Sequence, residues 1–230
     1  MIPRRFNGPP DSGHGGYSAG LLGTLIEGPA DVALRAPPPL ETTLAVERRD
    51  DGSVAALQES DVVLEARPAD VDARPPATLS LEEAAQGPGR YVWHAWHPFP
   101  TCFACGPERE PGDGLRLFAG PIRRDGLLGV TWTPAAEFGG AGGVVDPLFV
   151  WAALDCPGGA AAANDPHERK PVVLASFAVD VRAPVAVGEP HAIGAWRIET
   201  EGRKRRIGVA LWDGDGSLRA LARALWIELR

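Results

Sequence analysis

The chain has 230 residues, 44% hydrophobic and 23% charged: enough apolar material for one large core or two small ones, and too much for a disordered chain. A net charge of -7 and a pI near 5.3 argue against nucleic acid as a partner, because a duplex binder needs a broad basic face to release counterions. No apolar run reaches the roughly 18 to 20 residues of a membrane span, and the opening Met1-Ile2-Pro3-Arg4-Arg5-Phe6 lacks the apolar core of a signal peptide, so a cytoplasmic protein with no membrane partner is expected. The chain has three cysteines, two of them in one Cys-x-x-Cys pair, which does not make a secreted disulfide framework.

In chain order, Asn7 to Gly13 is rich in turn formers, and His14 to Glu27 then reads as a helix despite its glycines. Each glycine costs a helix about 1 kcal/mol relative to alanine, so their use points to close approach of another backbone or a ligand. After Gly28-Pro29 the pattern changes to strands over Val32 to Leu40, Thr42 to Arg48, Val54 to Glu59 and Val62 to Ala66, with a turn at Arg49-Asp50-Asp51-Gly52. From Arg67 to about Pro100 the chain is rich in Pro, Ala, Asp and Glu and reads as a connection, with a short helical candidate at Leu79 to Ala85.

A second unit opens at Thr101-Cys102-Phe103-Ala104-Cys105-Gly106-Pro107 and passes strands near Leu115 to Ala119 and Leu127 to Thr133. It then reaches an apolar helix that starts with Asp146 as N-cap and Pro147 at the first helical position. Pro157-Gly158-Gly159 is expected to end it after about three turns. Asp155 then falls in the last turn, where burial and the negative end of the helix dipole both raise its pKa. A buried acid is either satisfied by local backbone or used chemically. Strands over Val172 to Val181, His191 to Thr200, Arg206 to Trp212 and Ala220 to Leu229 complete the chain, with a hairpin turn at Asp213-Gly214-Asp215-Gly216.

The two halves share a plan. Arg35-Ala36-Pro37 after the first helix matches Arg182-Ala183-Pro184 after the second, and Asp50-Asp51-Gly52-Ser53 matches Asp213 to Ser217, which points to an internal repeat. The repeated unit, an apolar helix wrapped by a long antiparallel sheet, resembles the hotdog fold. Ser176 to Glu189 is similar to that superfamily's strand, proline and Gly-acid signature, and Cys102 to Pro107 followed by Gly114-Leu115-Arg116-Leu117 resembles the opening of many phenylacetate-type thioesterases. The resemblance implies an α+β double hotdog, with a first unit over residues 1–70, a linker over 71–100 and a second unit over 101–230. It also implies a homodimer of such chains.

In that family function rests on a helix that begins His-Gly-Gly and carries an acid seven residues after the second glycine. Here the first half has His14-Gly15-Gly16, but Gly23 stands at the acid position; the second half has Asp155, but Asp146-Pro147-Leu148 stands where His-Gly-Gly is expected. The resemblance therefore implies one composite site, with Gly15 and Gly16 amides holding a thioester carbonyl and Asp155 as base or nucleophile. Asn7 resembles an asparagine that assists the oxyanion site, and Ser176 is a candidate for placing water. The implied function is hydrolysis of acyl-CoA or a similar thioester with no cofactor. The alternative is a double hotdog that binds an acyl or aromatic ligand without cleaving it. A dehydratase is less consistent, since the second half lacks the Asp and His pair that branch expects.

Two further clusters carry chemistry. His94-x-x-His97 before Cys102-x-x-Cys105 has the ligand count of a tetrahedral zinc site, although the gap between the pairs is short for one; the alternative is that both cysteines pack as small hydrophobes. Cys156 has no histidine near it in sequence and reads as a buried structural thiol. Arg203-Lys204-Arg205-Arg206 at a hairpin is either a charged sheet edge or a receptor for coenzyme A phosphates.

Overall fold

The computed structural model describes residues 1–123, 125–164 and 170–229. Strands β1 (Ala30–Leu34), β2 (Ala45–Arg48), β3 (Val54–Gln58), β4 (Asp61–Pro68), β5 (Gly120–Pro121), β6 (Leu128–Trp132), β7 (Val172–Val181), β8 (His191–Glu201), β9 (Lys204–Trp212) and β10 (Leu218–Glu228) form one sheet. Its order is β2-β3-β4-β1-β7-β10-β9-β8-β6-β5, antiparallel at every pairing. The first-half strands join the second-half strands at a single seam, where Ala30 to Ala33 of β1 pair with Val179 to Ser176 of β7.

Strand alternation gives this sheet two working faces. Ile193 and Ala195 of β8 and Ile207, Val209 and Leu211 of β9 point into the core that holds the two long helices. Their neighbours Ala192, Trp196, Ala210 and Trp212 face the other way, onto Ala73, Leu79 and Ala84. The segment after β4, with α2 (Leu81–Ala84) capped by a reciprocal Ser80 and Glu83 box, thus covers the outer face of the sheet.

The inner face carries α1 (Gly15–Gly23) and α3 (Pro147–Ala163), packed on one another. The glycines of α1 set their approach. A Cβ on Gly16 would lie 2.5 Å from Asp155 Cβ and 2.6 Å from the Trp151 carbonyl oxygen, and one on Gly23 would enter the Trp151 ring at 2.5 Å. The close backbone approach expected from the sequence is therefore made by α3.

Two expectations change. Asp146 does cap α3 through Leu148 N–H at 2.9 Å, but the helix runs through Pro157 for 17 residues. Proline removes one backbone bond at a cost of about 3 kcal/mol, yet Gly158 and Gly159 lie against Trp226 and Val209, and Ala160 to Ala163 are strong helix formers packed in the core. Asp155 consequently stands mid-helix, away from the dipole's negative end. Leu115 to Ala119 form no strand: Leu115 and Leu117 N–H groups bond instead to the carbonyls of Phe103 and Ala104, at 2.9 and 2.7 Å.

Candidate active site

The chain enters α1 through His14, whose backbone N–H is fixed by the Phe6 carbonyl at 2.8 Å and whose Nδ1 accepts the Tyr17 N–H at 3.1 Å. An acceptor at Nδ1 places the single proton of the neutral ring on Nε2. Nε2 lies 3.1 Å from Asp155 Oδ2 and 3.3 Å from Cys156 Sγ. Burial opposes the imidazolium and Asp155 favours it, with a net upward shift for His14. A second ring proton, however, would face the Tyr17 N–H, so charging the ring costs that cap bond.

Asp155 is 2% exposed. Its Oδ2 accepts the Gly16 N–H at 2.5 Å as well as the His14 contact, whereas Oδ1 is buried without a hydrogen-bond partner among the described residues. Burial pushes its pKa up to about 6, against the opposing pull of His14 and the Gly16 N–H. The acid is ionised at neutral pH and still basic enough to accept a proton.

His14, Gly15, Asp155 and Cys156 open on a cavity of about 540 Å³, walled otherwise by largely apolar groups such as Leu34, Pro37, Trp93, Phe99, Leu174 and Trp226. The Gly15 N–H, first of its helix, has no intrahelical acceptor and belongs to the positive end of α1. Opposite, residues 102–106 bring Cys102 and Cys105 to the cavity wall. Gly106 closes that turn with its N–H on the Cys102 carbonyl at 2.8 Å, and a Cβ there would lie 2.5 Å from both Cys102 N and the Pro100 carbonyl oxygen.

No protein-family model and no curated protein matches the chain. Solved structures do. A protein of unknown function from Alicyclobacillus acidocaldarius, described as having a hot dog fold, is similar over 95% of this chain and 88% of its own, at a TM-score of 0.61 and 14% identity. A candidate thioesterase II from Thermobifida fusca YX is similar over 96% of this chain and 88% of its own, at a TM-score of 0.57 and 16% identity.

The chain has the hotdog fold. Within it, His14, Gly15 and Gly16 meet Asp155 at one point, although 139 residues separate Gly16 from Asp155 in sequence. Gly16 differs in detail, since its N–H is held by Asp155 and only the Gly15 amide is left for a ligand.

Other expected residues lie elsewhere. Asn7 Nδ2 donates to the Gly8 carbonyl at 3.0 Å and Thr101 Oγ1 at 3.2 Å, and its Oδ1 accepts from Arg109 at 2.6 Å, so it ties the entry loop to the cysteine loop and leaves no group for an oxyanion. On β7 the cavity wall is Val172 to Ala175 and stops one residue short of Ser176. The basic run is off the cavity and engaged with acids: Arg205 with Glu228 at 2.9 Å, Arg206 with Glu199 at 3.2 Å and Lys204 with Glu201 at 3.8 Å, while Arg203 donates to the Glu228 carbonyl at 3.1 Å.

The zinc tetrad does not assemble. His94 Nε2 is taken by the Pro88 carbonyl at 2.6 Å; both ring nitrogens of His97 are used, by Tyr91 Oη at 3.0 Å and Phe99 N–H at 3.0 Å. Cys156 was the residue that sequence reasoning undervalued. Its histidine neighbour is His14, 142 residues away, and no local signal announces that contact.

Proposed function

We propose that this hotdog protein is a double hotdog that hydrolyses an acyl-CoA or similar acyl thioester at one composite site. The repeat reading is supported by the two helices: α3 lies against second-half strands and α1 against β1, β3 and β4 of the first half as well as β7 at the seam. The observation that carries the activity is that Asp155, a residue of the cavity wall, keeps a buried Oδ1 without a partner while its Oδ2 is held by Gly16 and His14. The thioester carbonyl oxygen accepts the Gly15 N–H at the start of α1, and the acyl group occupies the apolar cavity. Asp155 Oδ1 takes a proton from water as the water oxygen bonds to the carbonyl carbon. The C–S bond then breaks, and the leaving sulfur takes that proton back from the carboxyl group. A likeness to one candidate thioesterase points the same way at the level of fold.

Asp155→Asn tests the reading. Thiol release from acyl-CoA probes with short, long and aromatic acyl groups is expected to fall by roughly 10² to 10⁴, the usual worth of a general base. Unchanged turnover would refute Asp155 as the base. Saturable probe binding with no turnover in the parent protein would favour the binding-only alternative.

A further inference from the structure

Cys102 and Cys156 reach one another from remote places. Cys102 opens the 102–106 turn and Cys156 stands in the middle of α3, 54 residues on, yet their sulfurs lie 3.7 Å apart and both thiols are free. Both residues are buried, and both belong to the wall of the apolar cavity, which gives a small solute a route to them. The hydrolytic mechanism uses neither thiol.

Sulfurs at that distance touch without being bonded. A disulfide needs about 2.05 Å between them, so the pair must close by about 1.7 Å, less than a cysteine sulfur sweeps between staggered positions about its Cα–Cβ bond. The backbone on each side is already fixed. The Cys102 N–H is held by the Phe99 carbonyl at 2.9 Å and the Cys102 carbonyl by the Gly106 N–H at 2.8 Å, while Cys156 is carried by a helix of 17 residues. Two thiols held in contact by rigid surroundings need no diffusional encounter to react with one another. Their roles differ as well. Hydrogen bonds from Cys105 and Cys156 hold the Cys102 thiol below its ordinary range, and contact with Cys102 pushes the Cys156 thiol up, so Cys102 is the stronger candidate for first attack.

We propose that Cys102 and Cys156 are an oxidation site for a small peroxide, which converts the pair into a reversible disulfide between the cysteine turn and α3. The Cys102 sulfur bonds to one oxygen of hydrogen peroxide, the O–O bond breaks, and water leaves a sulfenic acid on Cys102. The Cys156 sulfur then bonds to that sulfur as it loses its proton; the S–O bond breaks and a second water leaves. The two thiols give up two electrons, the peroxide takes them, and both thiol protons end in water. A dithiol reductant reverses the change by exchange. The link pins the turn to α3 at the residue next to Asp155, and it forms whether or not Asp155 hydrolyses a thioester.

The test uses the full chain, reduced, freed of reductant and treated with a few equivalents of hydrogen peroxide. Two of its three thiols should disappear, and dithiothreitol should restore them. Remaining thiols are alkylated, and a non-reducing digest that cuts after Phe103 separates Cys102 from Cys105 for mass spectrometry. The expected product is one link from Cys102 to Cys156 within a single chain, with Cys105 alkylated and the yield independent of protein concentration. A link from Cys102 to Cys105, a link between molecules, sulfinic acid with no link, or three surviving thiols would each overturn the site. All of these are read on the parent protein and need no variant to fold. Cys105→Ala should form the same link, and its failure to do so while folded would overturn the two-cysteine assignment. The oxidised parent should melt several degrees above the reduced one, because the link restricts the unfolded chain, and an equal or lower Tm would overturn the pinning of the turn to α3.

Discussion

Gly16→Ala places one methyl group in the seam between α1 and α3. The new carbon would stand 2.5 Å from Asp155 Cβ and 2.6 Å from the Trp151 carbonyl oxygen, about 1 Å inside normal contact with two atoms fixed to a backbone. Neither can swing away as a side-chain tip could, so the helices must part. Overpacking of that kind costs about 1 to 3 kcal/mol, and the upper end applies here. Alanine returns about 1 kcal/mol of helix propensity, leaving a net loss of about 2 kcal/mol and a fall in Tm of roughly 4 to 8 °C for a chain of this size. The same displacement lengthens the Gly16 N–H bond to Asp155, so turnover should fall as well. Gly89→Ala is the control, since a Cβ there meets nothing within 4 Å. Thermal unfolding followed by circular dichroism reads both; a Gly16→Ala protein as stable as Gly89→Ala would refute the close-packed seam.

His14→Ala should cost about 1 to 3 kcal/mol in chemical denaturation, combining a lost helix cap with a buried Asp155 contact, and a stability loss near zero would contradict the network. Ser80→Ala opens the capping box of α2 and should cost about 1 kcal/mol by the same assay, without altering thiol release. Arg123, with the Ser80 N–H and hydroxyl behind it, holds the Glu83 pKa down to about 2 from its ordinary 4.5. Glu83 therefore adds stability that is fully present above about pH 4.5 and is lost as pH falls toward about 2. The Tm gap between parent protein and Glu83→Gln should close over that window, and a gap independent of pH would count against the ion pair.

What the sequence made legible was local. Asp146-Pro147 marked the start of α3, the glycines of α1 announced a neighbour's backbone, and the alternating runs after Val172 match β7 to β10 to within two residues at each end. What stayed hidden depended on partners far along the chain. Pro157 stops a helix by local rules, yet here the packing of Gly158 and Gly159 under Trp226 carries the helix onward. Leu115 to Ala119 have strand composition, but the cysteine turn takes their hydrogen bonds. His94 and His97 have ligand spacing beside Cys102, yet a carbonyl and a tyrosine hydroxyl claim their ring nitrogens. The His14 and Asp155 meeting was legible only through the family resemblance, since no spacing within 141 residues of sequence implies a contact.

The β1–β7 seam has a consequence for how the site behaves in dilute solution. Two groups brought together by separate chains part when those chains are diluted below their dissociation constant, and their joint activity then falls with the square of concentration. His14 and Asp155 belong to one polypeptide, held at a fixed effective concentration by four paired residues in the sheet and the packed helices. Their meeting is therefore independent of protein concentration, and no exchange between molecules can mix a wild-type half with a damaged one.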